Sequence, residues 1–186
     1  MPILQQMLAK ATYFLHQRIE DNPFMHAISS NEPIEKPYQW LLTKLCTFAY
    51  LGEKKLLALI PESEGFALSN RLRVHLLLND LTEMGLTPET MDNSDFDTIN
   101  TKGKAIGLLY VMEGSRKGGQ FLSALLQKSN SPLPMSYLTG YGYTTDTEWE
   151  NFCTLLERYA NTPLQEEIMA GAISAFEILE KIFHDK

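Results

Sequence analysis

The chain has 186 residues, 44% hydrophobic and 21% charged, with a net charge of −7. That length suits one domain with a sizeable core. The acidic balance argues against a nucleic-acid binder, which needs a basic face. No apolar run approaches the roughly 20 residues of a membrane-spanning helix, so no membrane association is expected.

Ile3, Leu4, Met7, Leu8, Ala11 and Leu15 recur at spacings of three and four, predicting an amphipathic helix through about Glu20. Asp21-Asn22-Pro23 reads as a stop and Asn31-Glu32-Pro33 as a loop. A second helix is predicted from about Lys36 to Leu59, ending before Pro61, and a third from about Glu64 to Leu81. Gly85-Leu86-Thr87-Pro88 opens a polar connection through Asp97, and a fourth helical pattern covers Thr101 to Lys128. Pro132, Pro134, Gly140 and Gly142 mark residues 129–145 as an ordered loop. Two more helices follow, Thr147 to Ala160 and Pro163 to His184, with Pro163 in the first turn, where proline is tolerated. With no strand pattern and no repeat, the expectation is an all-α single domain over residues 1–186.

The fourth pattern contains the most informative segment. Gly114, Gly118 and Gly119 fall within six residues of an otherwise apolar helical run. Each interior glycine costs about 1 kcal/mol against alanine, so the three together cost about 3 kcal/mol. Two readings fit. The segment is a turn between two helices, or the helix persists and Gly114 and Gly118 share a face where missing Cβ atoms let a flat ligand reach the backbone.

Four histidines, without a His-x-x-x-His or Cys-x-x-Cys spacing, argue against a multi-histidine metal site. His16 stands out because Glu20 follows at i+4, where it can orient the imidazole or accept its second N–H. On these residues alone the plainer reading is an ordinary surface His–Glu pair; a neutral histidine so held also suits a single axial bond to haem iron. His75, among Val74, Leu76, Leu77 and Leu78, reads as a partly buried core histidine. Cys46 and Cys153 lie in apolar patterns and read as buried free thiols of a reduced protein. The first ten residues lack the basic and apolar regions of a signal peptide, so a cytoplasmic location is expected.

Taken together, four segments resemble the haem oxygenase family, particularly its bacterial biliverdin-producing branch. Leu8-Ala9-Lys10-Ala11-Thr12 through Leu15-His16-Gln17-Arg18-Ile19-Glu20, continuing to Asn22-Pro23-Phe24-Met25, is similar to the family's proximal helix. Gly107-Leu108-Leu109-Tyr110-Val111-Met112-Glu113-Gly114-Ser115, followed by Gly118-Gly119-Gln120, is similar to its distal helix. Gly140-Tyr141-Gly142 with Trp149 and Phe152 matches a pattern of the bacterial members, and Ala172 to Phe176 resembles the last helix lining the pocket.

The resemblance implies a helical bundle of the haem oxygenase type, with about six to eight helices. It implies that haem is both cofactor and substrate, opened with O₂ and external electrons to biliverdin, carbon monoxide and ferrous iron. His16 would be the iron ligand, Glu20 its companion, Gly114, Ser115 and Gly118 the catalytic face, and Gly119, Phe24 and Phe176 further haem contacts. Ser115 stands where mammalian-type members carry an aspartate, so a distal water network would be built differently. Cys153 and its neighbours occupy the stretch of a propionate-binding arginine, leaving Lys10 as the replacement by position, with Arg116 and Lys117 as other nearby charge. With no redox-cofactor motif in the chain, electrons would come from a ferredoxin or reductase. Two rivals remain. One is a non-enzymatic haem carrier or sensor on the same scaffold; the other, a thiamin-degrading type of helical hydrolase, would need Cys46 or Cys153 as a nucleophile.

Overall fold

A computed structural model describes residues 2–29, 34–88, 94–128 and 132–184. Among them are seven α-helices and no strand: α1 Ile3–Glu20, α2 Pro23–Ser29, α3 Glu35–Leu59, α4 Val74–Glu83, α5 Lys102–Gln127, α6 Thr145–Leu156 and α7 Leu164–His184. The Asn31-Glu32-Pro33 loop lies outside the described residues.

The all-α reading and the first, second and fourth helices match the structure closely. One local reading needs correction, that of the third helix. The stop at Asp21-Asn22-Pro23 holds, since α1 ends at Glu20, and the Asn22 carboxamide oxygen accepts the Phe24 N–H at 2.9 Å at the start of a short α2. The Asn22 amide also donates to the Phe183 carbonyl at 3.3 Å, fastening this corner to α7. The third helix does not begin at Glu64. Gly65 and Ala67 have left-handed backbones (φ +77° and +49°), which interrupt any helix, so 3-10 turns at Glu62–Glu64 and Leu68–Asn70 precede α4.

The glycine-rich segment stays helical, and α5 is unbroken from Lys102 to Gln127. The Thr101 hydroxyl oxygen accepts the Lys104 N–H at 3.3 Å and caps its start. The described part of the loop before α6, residues 132–144, is ordered. Buried Asp80 accepts the Ser136 and Tyr137 N–H groups at 3.0 and 2.9 Å, and the Tyr38 hydroxyl donates to the Pro134 carbonyl at 2.6 Å.

The frame of the bundle is the crossing of α5 and α7, its most extensive helix contact. A Cβ on Gly107 would meet the Ile168 carbonyl oxygen, and one on Gly171 would meet the Lys104 carbonyl oxygen. Two glycines facing each other thus let the backbones touch. α1 lies along α7, and α3 packs against α2, α4 and α5. α1 and α5 both rest on α7 without packing extensively on each other. One continuous core, from Leu4 and Leu8 on α1 to Ile182 and Phe183 on α7, runs through the bundle.

Candidate functional site

His16 stands on α1 with 59% of its side chain exposed. Its Nδ1 lies 3.5 Å from Glu20 Oε1, as the i+4 spacing predicts, so Nε2 is the nitrogen turned away from the carboxylate. Phe176 of α7, itself buried, meets the imidazole edge-on with centroids 5.8 Å apart. His16, Glu20 and Phe176 therefore form one group. The other proximal candidates do not join it. Phe24 stacks on Trp40 at 4.6 Å, and Trp40 in turn meets Phe183, so this aromatic set packs α2 against α3 and α7. Lys10 is solvent-exposed on α1.

On α5, Gly114 and Gly118 lie on one stripe, as the helical spacing requires. A Cβ at Gly118 would meet nothing within 4 Å; one at Gly114 would find only the Trp149 ring, at 3.6 Å. Phe121, a turn further along this stripe, is 67% exposed. The stripe is thus an open, flat backbone surface with an aromatic wall at one end. Gly119 faces elsewhere: its Cβ would stand 3.0 Å from the Leu138 carbonyl oxygen, so this glycine lets the 132–140 loop lie against α5. Ser115 is exposed. Its hydroxyl donates to the Met112 carbonyl at 2.8 Å.

Beneath the stripe is a buried polar cluster that the sequence reading missed. Glu113, 2% exposed, pairs with Arg71 at 2.7 Å and with Arg116 at 2.6 Å, and accepts the Tyr141 hydroxyl at 3.2 Å. Arg116 also donates to the Arg71 carbonyl, and the guanidinium groups of Arg73 and Arg116 lie over the Tyr141 ring. Arg73 donates to the Gly140 carbonyl at 2.8 Å, while Glu53 accepts the Arg73 and Val74 N–H groups. Burial pushes the Glu113 carboxyl above its ordinary range, with Arg116 and Arg71 pulling it back. Burial likewise lowers Arg116 and raises Tyr137. The signal was present in the sequence as an i, i+3 Glu–Arg pair inside an apolar run. This arrangement corrects the reading of Arg116 as accessible positive charge, because it is 5% exposed and committed to Glu113. Lys117 is half-exposed and pairs with Asp146 at 3.0 Å.

Gly140-Tyr141-Gly142 is the strap that covers this cluster. Gln120 Nε2 donates to the Gly142 carbonyl at 2.6 Å and to Thr145 Oγ1 at 2.8 Å, tying the strap to α5. His75 is exposed on α4 rather than partly buried, a further correction to the sequence reading. Both cysteines are buried free thiols, as expected. Burial pushes the Cys153 thiol up to about 12 and raises that of Cys46, so neither is poised as a nucleophile.

No protein-family model matches the sequence, and no curated protein is significantly similar to it. Solved structures are. The haem oxygenase of Neisseria meningitidis, determined with NO and CO bound, superimposes with a TM-score of 0.77 at 23% identity, over 97% of this chain and 92% of that one. The haem oxygenase of Leptospira interrogans gives 0.79 at 17% identity, over 97% and 98%. Haem oxygenase-1 of the cyanobacterium Synechocystis, in complex with haem, gives 0.73 at 15% identity, over 97% and 90%. The protein therefore has the fold of the haem oxygenases along nearly its whole length.

Proposed function

We propose that this protein is a haem oxygenase that binds haem between α1 and α5. The observation that supports the reading is the presence of two surfaces on one fold. One is an exposed imidazole beside a carboxylate; the other is a glycine stripe with open space at Gly118 and the Trp149 ring beside Gly114. The donor set fits the group: one imidazole nitrogen for iron, an aromatic neighbour and a side-chain-free backbone surface for a planar macrocycle.

In this account haem is substrate as well as cofactor, and when bound it supplies the O₂ chemistry that opens the ring to biliverdin, carbon monoxide and ferrous iron. His16 holds the iron through Nε2, and Glu20 fixes the ring and its tautomer by accepting from Nδ1. Phe176 braces the imidazole from behind. Gly114 and Gly118 bring α5 backbone against the macrocycle and exclude bulk water. The Ser115 hydroxyl already donates to Met112, so its oxygen is left to accept from a water. Ser115 would hold a water that delivers protons on the glycine-stripe side. Lys10 and Lys117 are the accessible cations for the haem propionates. Gly119 and Phe24 act behind the haem contacts, through the packing described above. Electrons come from a separate ferredoxin or reductase, and the protein works in the cytoplasm as a single domain.

The test is a haemin titration of the native protein and of His16→Ala, followed by reduction in air. One-to-one binding, with a histidine-ligated spectrum that His16→Ala loses, supports the site. Decay of the haem band into a bilin supports the enzyme, whereas stoichiometric binding without decay would make the protein a haem carrier or sensor.

A further inference from the structure

The helix that carries His16 is not capped by its own sequence. Its N-cap position is Pro2, which supplies no side-chain hydrogen bond, and its first turn has no acidic residue. The first N–H groups of any helix lack intrahelical partners and attract negative charge. Here that charge arrives from the far end of the chain. The two carboxylate oxygens of Glu157 accept the Ile3 N–H at 2.9 Å and the Leu4 N–H at 3.0 Å. A two-point, charge-assisted contact of this kind fixes orientation as well as energy.

Glu157 directly follows α6, and the same helix sets Trp149 against Gly114 of α5. This segment therefore touches the start of α1 with one residue and the glycine stripe with another. Because α1 and α5 do not pack extensively on each other, their separation depends on what bridges them. α7 bridges them along one side, α2 touches both where α1 ends, and α6 with Glu157 bridges them at the end where α1 begins.

We propose that Glu157 is a positioning residue: it sets the separation of α1 from α5, and through it where His16 stands relative to the Gly114–Gly118 stripe. The consequence for haem rests on the function proposed above, whereas the tether itself is a property of the haem-free protein. A purely local role, ending a helix that lacks a cap, makes a different prediction. In that case an aspartate at position 2 would replace Glu157 completely.

The experiment measures the α1–α5 distance by pulsed electron paramagnetic resonance on haem-free protein. Spin labels go on Phe14→Cys and Phe121→Cys, positions 76% and 67% exposed, while the native thiols are buried. Glu157→Ala should broaden or shift the distance distribution. Adding Pro2→Asp should recover thermal stability but leave the distribution broadened. Haemin affinity should fall about tenfold in Glu157→Ala and stay low with Pro2→Asp. If Glu157→Ala does not fold, Glu157→Gln carries the test, because it keeps the size and one acceptor while losing the charge and the two-point geometry. An unchanged distribution, or full recovery of it by Pro2→Asp, overturns the proposal. A shifted distance in a protein that never binds haemin leaves the tether standing and sinks the haem reading instead.

Discussion

Gly118→Ala separates the structural role of the glycine stripe from its functional one, because the two point in opposite directions. Gly118 lies in the interior of α5, is exposed, and has nothing within 4 Å of where a Cβ would be. Alanine there meets no clash and removes the entropic cost of glycine in a helix, about 1 kcal/mol. For a chain of this size that gain raises the melting temperature by about 2–4 °C. The same methyl group stands on the surface assigned to the macrocycle, so haemin binding should weaken and the yield of bilin should fall. The assay is thermal and urea unfolding of haem-free protein, with a haemin titration of the same sample. A variant that is less stable would refute the open stripe. A variant that is more stable yet binds and turns over haem as before would refute the stripe as the haem surface.

Gly107→Ala should do the reverse, costing about 3 kcal/mol or more, since its Cβ meets the Ile168 backbone and the helix crossing must open; urea unfolding measures it. Glu113→Gln should destabilise the fold by about 3–5 kcal/mol, because Arg71 and Arg116 lose the charge that compensates them in the interior. The hydrogen bond from Lys102, then that from Tyr159, holds the Glu64 carboxyl below its ordinary value of 4.5. A depressed carboxylate contributes stability that is present above pH 4.5 and lost as pH falls through the lower folded value. The stability gap between the native protein and Glu64→Gln should therefore close on acidification, and an unchanged gap down to acid unfolding would contradict the assignment. Cys46 and Cys153 should resist a thiol reagent in the folded protein and react on unfolding. Rapid labelling of either under native conditions would revive a nucleophilic role.

The helices were legible because their apolar periodicity survives in the packing: Leu4, Leu8 and the Ile106–Leu109 run all lie in the core. The proximal pairing was legible for the same reason, since an i+4 spacing on a helix is already a distance, and His16 and Glu20 meet as that spacing requires. What stayed hidden depends on partners far away in the chain. Residues 64–73 carry apolar residues at helical spacing, and only the left-handed backbones of Gly65 and Ala67 decide against a helix there. The burial of Glu113 and Arg116 is not visible locally, because Arg71 and Tyr141 arrive from other segments to partner Glu113. Gly114, Gly118 and Gly119 look equivalent in sequence. The structure separates them by what each faces: an indole, open space and a loop backbone. Glu157 gives no local sign that it serves the first helix.

The most direct test of the account is single-turnover conversion of one equivalent of haemin under reductant in air, with bilin identified by chromatography and carbon monoxide captured from the headspace. The native protein should give stoichiometric biliverdin and carbon monoxide, and His16→Ala neither in comparable yield. Tight haemin binding that persists through reduction without bilin or carbon monoxide would contradict it.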